Sequence, residues 1–217
     1  NSGSSTFKTQ SVKLSISTGR PAQDRFSLSI TTHNIEGLDF DGVTDSVLAI
    51  ASDRMGNPAP NGTTINFVTN GAQIEPSCQT TNGQCSVKFT TANPRPLGRP
   101  EPSAAAVTAG RVVVVAYALG EESFFYANRD NLFTNEPYTS LGNVFVDRNE
   151  NHIFDADTEE YIPFNTAHST ACGTSLSTSP YAPSMAGTCD DQWGSAHVRQ
   201  NQIIVMSGSD AYASSTF

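Results

Sequence analysis

The segment Asp147-Arg-Asn149-Glu-Asn151-His-Ile153-Phe-Asp155-Ala-Asp157-Thr-Glu159-Glu160 carries oxygen-bearing side chains at alternate positions. Counted from Asp147, they fall at positions 1, 3, 5, 9 and 11, with Glu159 and Glu160 just beyond. A calcium ion takes about six to eight oxygens at roughly 2.3–2.6 Å, and alternate residues of a tight loop can converge on one centre. Ile153, at position 7, has no side-chain oxygen and would offer its main-chain carbonyl. The expected cofactor is therefore Ca2+, bound by Asp147, Asn149, Asn151, Ile153, Asp155, Asp157, Glu159 and Glu160.

This spacing is that of an EF-hand-type loop, with two departures. Position 6, ordinarily a glycine at the sharp turn, is His152, and the closing glutamate falls at position 13 or 14 where position 12 is usual. Which of Glu159 and Glu160 closes the site stays open. A second, poorer copy precedes it, from Asn128 through Asp130 to Glu136, with Tyr126 at its first-ligand position. It reads as a weak metal loop or an Asn-rich packing loop. The plain alternative for the whole region is a solvated acidic loop.

Other chemistry is thinly represented. His33, His152, His168 and His197 are scattered, and neither G-x-S-x-G nor H-E-x-x-H accompanies them, so no enzyme is expected. Trp193 beside Asp190 and Asp191, together with Tyr181, offers an aromatic face with carboxylates for a sugar ring, although a lone loop tryptophan more often packs its loop onto a sheet. Asn61-Gly-Thr63 fits a glycosylation sequon and equally a plain turn. Lys88 alternates with Val87 and Phe89, which points it to solvent and away from any isopeptide bond.

Such a loop needs a scaffold, and the flanking sequence supplies strands. Ser11–Ser17, Phe26–Thr32, Ser46–Ser52, Thr63–Thr69, Cys85–Thr91 and Arg111–Leu119 each read as a half-buried strand of period two, and His197–Met206 as one more. Gly56-Asn-Pro58, Asn61-Gly62, Asn70-Gly71, Asn82-Gly83 and Asn93-Pro94 supply the turns. The proline-rich run 94–110 reads as a loop between paired strands. Regular patterning then stops for about 75 residues after Gly120, and loops longer than about 15 residues are usually functional or ion-stabilised.

Cys78 and Cys85 flank the Asn82-Gly83 turn, and Cys172 and Cys189 bracket a Ser/Thr/Pro-rich stretch. Two local disulfides are expected from this spacing, with free buried thiols as the alternative; zinc would need closely paired ligands such as C-x-x-C, which are missing. Disulfides imply an oxidising compartment.

The chain has 217 residues, 21 acidic against 12 basic, a formal charge of -9 and only 15% charged residues. Three lysines, Lys8, Lys13 and Lys88, do not make a sequence-independent phosphate surface, so no nucleic-acid partner is expected. The apolar run Val112–Leu119 is far short of the roughly 20 residues that span a bilayer as a helix. The polar start Asn1-Ser-Gly-Ser-Ser5 lacks an apolar leader and reads as a fragment or processed chain. About half of the acidic residues lie between Glu121 and Glu160, so the charge points to a local cation.

Three stretches resemble a known family. Asp53-Arg-Met-Gly-Asn57-Pro58-Ala-Pro60-Asn-Gly62-Thr-Thr-Ile65-Asn-Phe67, Thr80-Thr-Asn-Gly83-Gln-Cys-Ser-Val87-Lys-Phe89 and Arg111-Val-Val-Val-Val-Ala116-Tyr117-Ala118 resemble the bacterial Ig-like repeats of the intimin/invasin group over roughly residues 26–119. Phe145-Val-Asp147-Arg-Asn-Glu-Asn151 and Ile203-Ile-Val-Met-Ser-Gly-Ser209 look like a variant from large bacterial envelope proteins. The resemblance implies an Ig-like Greek-key β-sandwich without enzymatic activity, in a cell-surface protein, acting as spacer or presenter. The long segment 121–196 departs from the family's short last hairpin.

The expectation is thus an all-β chain with a polar arm over 1–10, one sandwich formed by 11–120 and 197–209, and an acidic, disulfide-closed insertion over 121–196. Its role would be structural or adhesive at an extracellular bacterial surface, beside neighbouring Ig-like modules or subunits. The alternatives are a module binding host or matrix glycan or protein through the insertion, and a subunit of a surface filament built with the polar arm.

Overall fold

The computed structural model describes residues 19–97, 109–125, 130, 132–164 and 184–209. The expected strand Ser11–Ser17 and the polar arm lie outside the described residues, as do Asn128, Cys172 and Tyr181.

In chain order the strands are β1 (Phe26–Ile30), β2 (Asn34–Glu36), β3 (Thr44–Ala51), β4 (Thr64–Thr69), β5 (Gln73–Ile74), β6 (Ser77–Gln79), β7 (Gln84–Thr90), β8 (Arg111–Glu121), β9 (Val144–Phe145), β10 (Tyr161–Ile162) and β11 (Ser195–Ser207). The only helical element among the described residues is a 3-10 turn, Gln23–Arg25. The fold is all-β. One sheet has the order β1-β3-β7-β5 and the other β2-β11-β8-β4-β6; β9 and β10 form a separate pair.

Period-two patterning explains how the two large sheets share a core. Phe26, Leu28 and Ile30 of β1, Val47, Ala49 and Ala51 of β3, and Val87 and Phe89 of β7 point inward from the first sheet. Ile65 and Phe67 of β4, Val112, Val114, Ala116 and Ala118 of β8, and Val198, Ile204 and Met206 of β11 meet them from the second. Intervening serines and threonines of β1 and β3 stay at the surface, as the alternation requires.

Turn chemistry fixes the register. Asp53 is fully buried, and its carboxylate accepts from the N–H of Met55 (2.9 Å) and of Asn57 (2.8 Å) and from the Asn57 carboxamide (3.2 Å). That turn is the physical content of the Asp53-Arg-Met-Gly-Asn-Pro string. Asn82 and Gly83 both have positive φ, 52° and 75°, the geometry of a tight hairpin turn. A side chain at position 83 would fall 2.7 Å from the Ala51 carbonyl oxygen, so glycine is required there. Cys78 and Cys85 are joined in a disulfide with Cα atoms 6.0 Å apart. Because β6 and β7 belong to different sheets, that bond links the two.

β8 and β11 pair antiparallel from Glu121↔Ser195 to Arg111↔Val205, although about 75 residues separate them. β11 also pairs in parallel with β2, from Val205↔Asn34 to Ser207↔Glu36. Above that contact its edge is closed by a side chain: Gln23 donates to the Arg199 carbonyl (2.9 Å) and accepts from the Arg199 N–H (2.9 Å), as a neighbouring strand would.

One expectation is corrected here. Arg111–Leu119 reads in the sequence as a half-buried strand, but Val112, Val113, Val114, Val115 and Ala116 are all at most 1% exposed. The reason is a third layer. Val113 and Val115, on the outer side of β8, pack with Val144 and Val146 from the insertion, flanked by Val68, Tyr117, Ile162 and Ile203. The insertion is therefore packed structure at this point, and β8 is buried on both faces.

Val115→Ala should destabilise the protein by about 2 kcal/mol, close to the effect of Val114→Ala on the inner face. Denaturant melts of both variants measure this. A negligible loss at Val115 would mean that the outer face of β8 is not covered in solution.

Candidate metal centre

The acidic loop leaves β9 at Val146 and returns to β10 at Tyr161, and the Val146 N–H donates to the Glu160 carbonyl (2.9 Å) to close its neck. Within it the side chains fold the backbone. Asp147, 1% exposed, accepts from the N–H of Asn151 (3.1 Å) and of His152 (2.8 Å). Asn149 accepts from the Asn151 N–H (3.1 Å), and Asn151 from the Ile153 N–H (2.8 Å). These are successive Asx turns, which Asp and Asn favour. Glu150 and His152 take positive φ, 59° and 63°. His152 therefore adopts the left-handed conformation a glycine would take at position 6, so the sequence departs there in residue type while the chain still makes the turn.

Glu159 closes the loop from inside. One of its oxygens accepts from the Arg148 N–H (2.7 Å) and the other from the Asp155 N–H (3.0 Å). Burial raises its pKa, with the Asp147 charge adding to the rise, while the N–H groups of Asp155, Arg148 and Asn149 oppose it. Glu160 instead pairs outward with the Arg148 guanidinium (2.5 Å). Asp155 receives the carboxamides of Asn149 (2.6 Å) and Asn151 (3.2 Å) on a single oxygen. Asp147, Asn149, Asn151, Asp155 and Glu159 are thus linked through one network. Asp157 and Ile153 lie exposed on the loop's surface.

No three His, Cys, Asp or Glu side chains among the described residues are gathered to hold a metal by themselves. The oxygens here come from both carboxylates and carboxamides, a mixture that suits a hard cation that also accepts neutral oxygens.

The Asn128 copy is arranged differently. Asp130 caps its own turn by accepting from the Leu132 N–H (2.8 Å), and Glu136 accepts from the N–H (2.5 Å) and hydroxyl (2.7 Å) of Thr134, which lowers its pKa. Phe133, between them, stacks on Trp193 at 4.8 Å and meets Tyr138 edge-on at 5.7 Å. Phe124 presents its edge to Trp193 at 5.4 Å, the Arg54 guanidinium sits over the indole at 5.9 Å, and the indole N–H donates to the Glu122 carbonyl (2.8 Å). This stretch carries packing chemistry, and Trp193 pins it to the end of β8. Cys189 is fully buried and disulfide-bonded.

Three polar devices here were not read from the sequence. Glu150, at an even position of the loop, forms a two-pronged ion pair with Arg111 at the start of β8, both contacts 2.6 Å. Arg199 is fully buried on β11; its guanidinium donates to the His197 carbonyl (2.8 Å) and to the Ser184 hydroxyl, and desolvation lowers its pKa to about 9 despite the attraction of Glu122. Glu122 is 3% exposed and accepts from the N–H of Leu141 (2.6 Å) and of Gly194 (3.1 Å), joining the beginning of the insertion to its end. Only the arginine within a strand carried a signal, since charges there are rare unless paired.

The chain matches no known protein family, no curated protein and no solved structure.

Burial raises the Glu122 carboxyl from its usual 4.5 to about 7, with the Asp190 charge adding to the rise; the N–H groups of Leu141 and Gly194 and the charge of Arg199 oppose it. Between those two values the folded chain keeps a proton that the unfolded chain has released. Stability therefore falls as pH rises through this window, by at most about 1.4 kcal/mol per pH unit. Glu122→Gln should flatten that part of the profile of melting temperature against pH. Parallel profiles for the two proteins would show that Glu122 does not titrate in the window.

Proposed function

We propose that this chain is an Ig-like module of a bacterial cell-surface or secreted protein, with a structural or adhesive role and an inserted layer held by Ca2+ and disulfides. The observation that carries the reading is the strand order. β1-β3-β7 on one side and β11-β8-β4 on the other, with the short β2 crossing over to run parallel to β11, is an order that fits an immunoglobulin Greek key and supports this reading. The stretches that resemble the intimin/invasin repeats contain the Asp53 and Asn82-Gly83 turns, whose hydrogen bonds and positive φ angles suit linkers between strands. The Cys78–Cys85 disulfide fits an oxidising compartment. None of the described helical segments is long and apolar enough to cross a membrane.

Calcium enters through the Asp147 loop. Asp147, Asn149, Asn151, Asp155 and Glu159 already share one network, in which the Asn149 and Asn151 oxygens hold the loop N–H groups of Asn151 and Ile153. A cation at the Asp155 oxygen would displace the Asn149 and Asn151 carboxamide nitrogens from which that oxygen now accepts. The cation would replace those N–H donors with its own charge. Glu159 faces into the loop while Glu160 turns outward to Arg148, which favours Glu159 as the closing glutamate. Bound calcium stabilises the third layer by mass action, and through the Arg111–Glu150 pair it tethers that layer to β8.

Calorimetric titration of CaCl2 into chelator-treated protein should show one site with a micromolar-to-millimolar Kd. Asp155→Asn should weaken it by about tenfold or more, since one ligand charge is lost. In chelator, proteolysis should accelerate within 121–196 while the sheets persist. No heat at millimolar Ca2+ together with unchanged cleavage would overturn the calcium assignment.

A further inference from the structure

Beside the acidic loop, where it crosses the outer face of the second sheet, lies a pocket of about 300 Å³. Its apolar wall is Val113 of β8 and Ile203 of β11. Asp147, Glu150, His33, His152 and Asn201 complete the polar side of its lining, and Gln202 borders it from the β11 strand. Asp147 lies 3.2 Å from the His152 Nδ1, and Glu150 is engaged by Arg111.

Asn201 distinguishes this pocket from an ordinary acidic surface. The residue is 8% exposed, and its Oδ1 is buried with no hydrogen-bond partner. A buried carbonyl oxygen left unsatisfied has given up its water without replacement, so such an atom calls for a donor. Acceptors and negative charge dominate the polar side, and an aliphatic wall stands opposite. An ammonium group on a short methylene chain answers both requirements: its three N–H groups donate to Asn201 and the carboxylates, and its methylenes lie on Val113 and Ile203.

We propose that this pocket binds an alkylammonium group, the chemistry shared by a lysine side chain of a partner protein and a free aliphatic amine. The assignment does not rest on calcium occupying the Asp147 loop.

The test is an NMR titration of the full chain with n-butylammonium chloride, N-acetyl-lysine methylamide and 1-butanol, run both at saturating Ca2+ and in chelator. Saturable shifts of the Asn201 carboxamide and of the Val113 and Ile203 methyls are expected with n-butylammonium in at least one of the two conditions. 1-Butanol, which has the same methylene chain without the charge, should give none. If the lysine analogue binds as tightly as n-butylammonium, the ligand source is a protein side chain; if only n-butylammonium binds, it is a free amine. Asn201→Leu should weaken binding by about tenfold, and Asn201→Asp should strengthen it, an ordering that a merely water-filled pocket would not produce. Equal shifts with 1-butanol, linear unsaturating shifts in both conditions, or affinities unchanged in both variants would overturn the proposal. So would a pocket that responds to zinc chloride through His33 and His152 while n-butylammonium shifts nothing. Loss of calcium binding with ammonium binding intact would sink only the calcium reading.

Discussion

The structure depends on the two-sided burial of β8. A strand at the centre of a sandwich normally hides one face and shows the other to water, and its sequence alternates accordingly. β8 has valine at four consecutive positions, so its outer face is as apolar as its inner one. Left bare, that face would be a hydrophobic strip in the middle of a polar sheet. The insertion between β8 and β11 supplies the cover, with Val144, Val146 and Ile162 laid across it. The insertion thus owes its position to β8, and the acidic loop, whose ends are the strands of the covering pair, owes its position to the insertion.

Holding a long polar segment against a sheet requires its polar groups to be satisfied. Glu122, at the start of the insertion, takes the N–H of Leu141 from within it and of Gly194 from its end, and the Trp193 indole returns a bond to the Glu122 carbonyl. Arg111 reaches out of β8 to Glu150, and Arg148 to Glu160. Asp147 and Glu159 spend their oxygens on loop N–H groups. Each acid that lies deep is therefore a backbone organiser as well as a charge: burial raises the pKa of Glu122 and Glu159, and the N–H groups they hold oppose that rise.

Much of the scaffold was legible in the sequence because strands, tight turns and a local disulfide are short-range matters. Phe26–Ile30, Thr44–Ala51 and Gln84–Thr90 alternate as expected, and Asp53 and Asn82-Gly83 make the turns their residue types favour. Arg111–Leu119 reads as half-buried, and its second buried face was missed because what covers it, the insertion, lies outside any window on the strand itself. β9 and β10 are two residues each, too short to show a period. At the loop, alternation located Asp147, Asn149, Asn151 and Asp155 and passed over Glu150, whose partner is 39 positions away. The Asn128 copy shows the limit of pattern matching: its Phe133, aligned with Phe154, turns to Trp193, and its acids cap their own turns.

The parallel pairing of β2 with β11 has a mechanical consequence. Pro21 and Ala22 lie against Glu121, near the start of β11, and β11 then runs 13 residues, about 40 Å, before ending at Ser207. The described chain therefore enters at one pole and leaves at the other. Tension along that axis would load the β2–β11 hydrogen bonds side by side in shear, so that they yield together, where a hairpin pulled from its open end gives way one rung at a time.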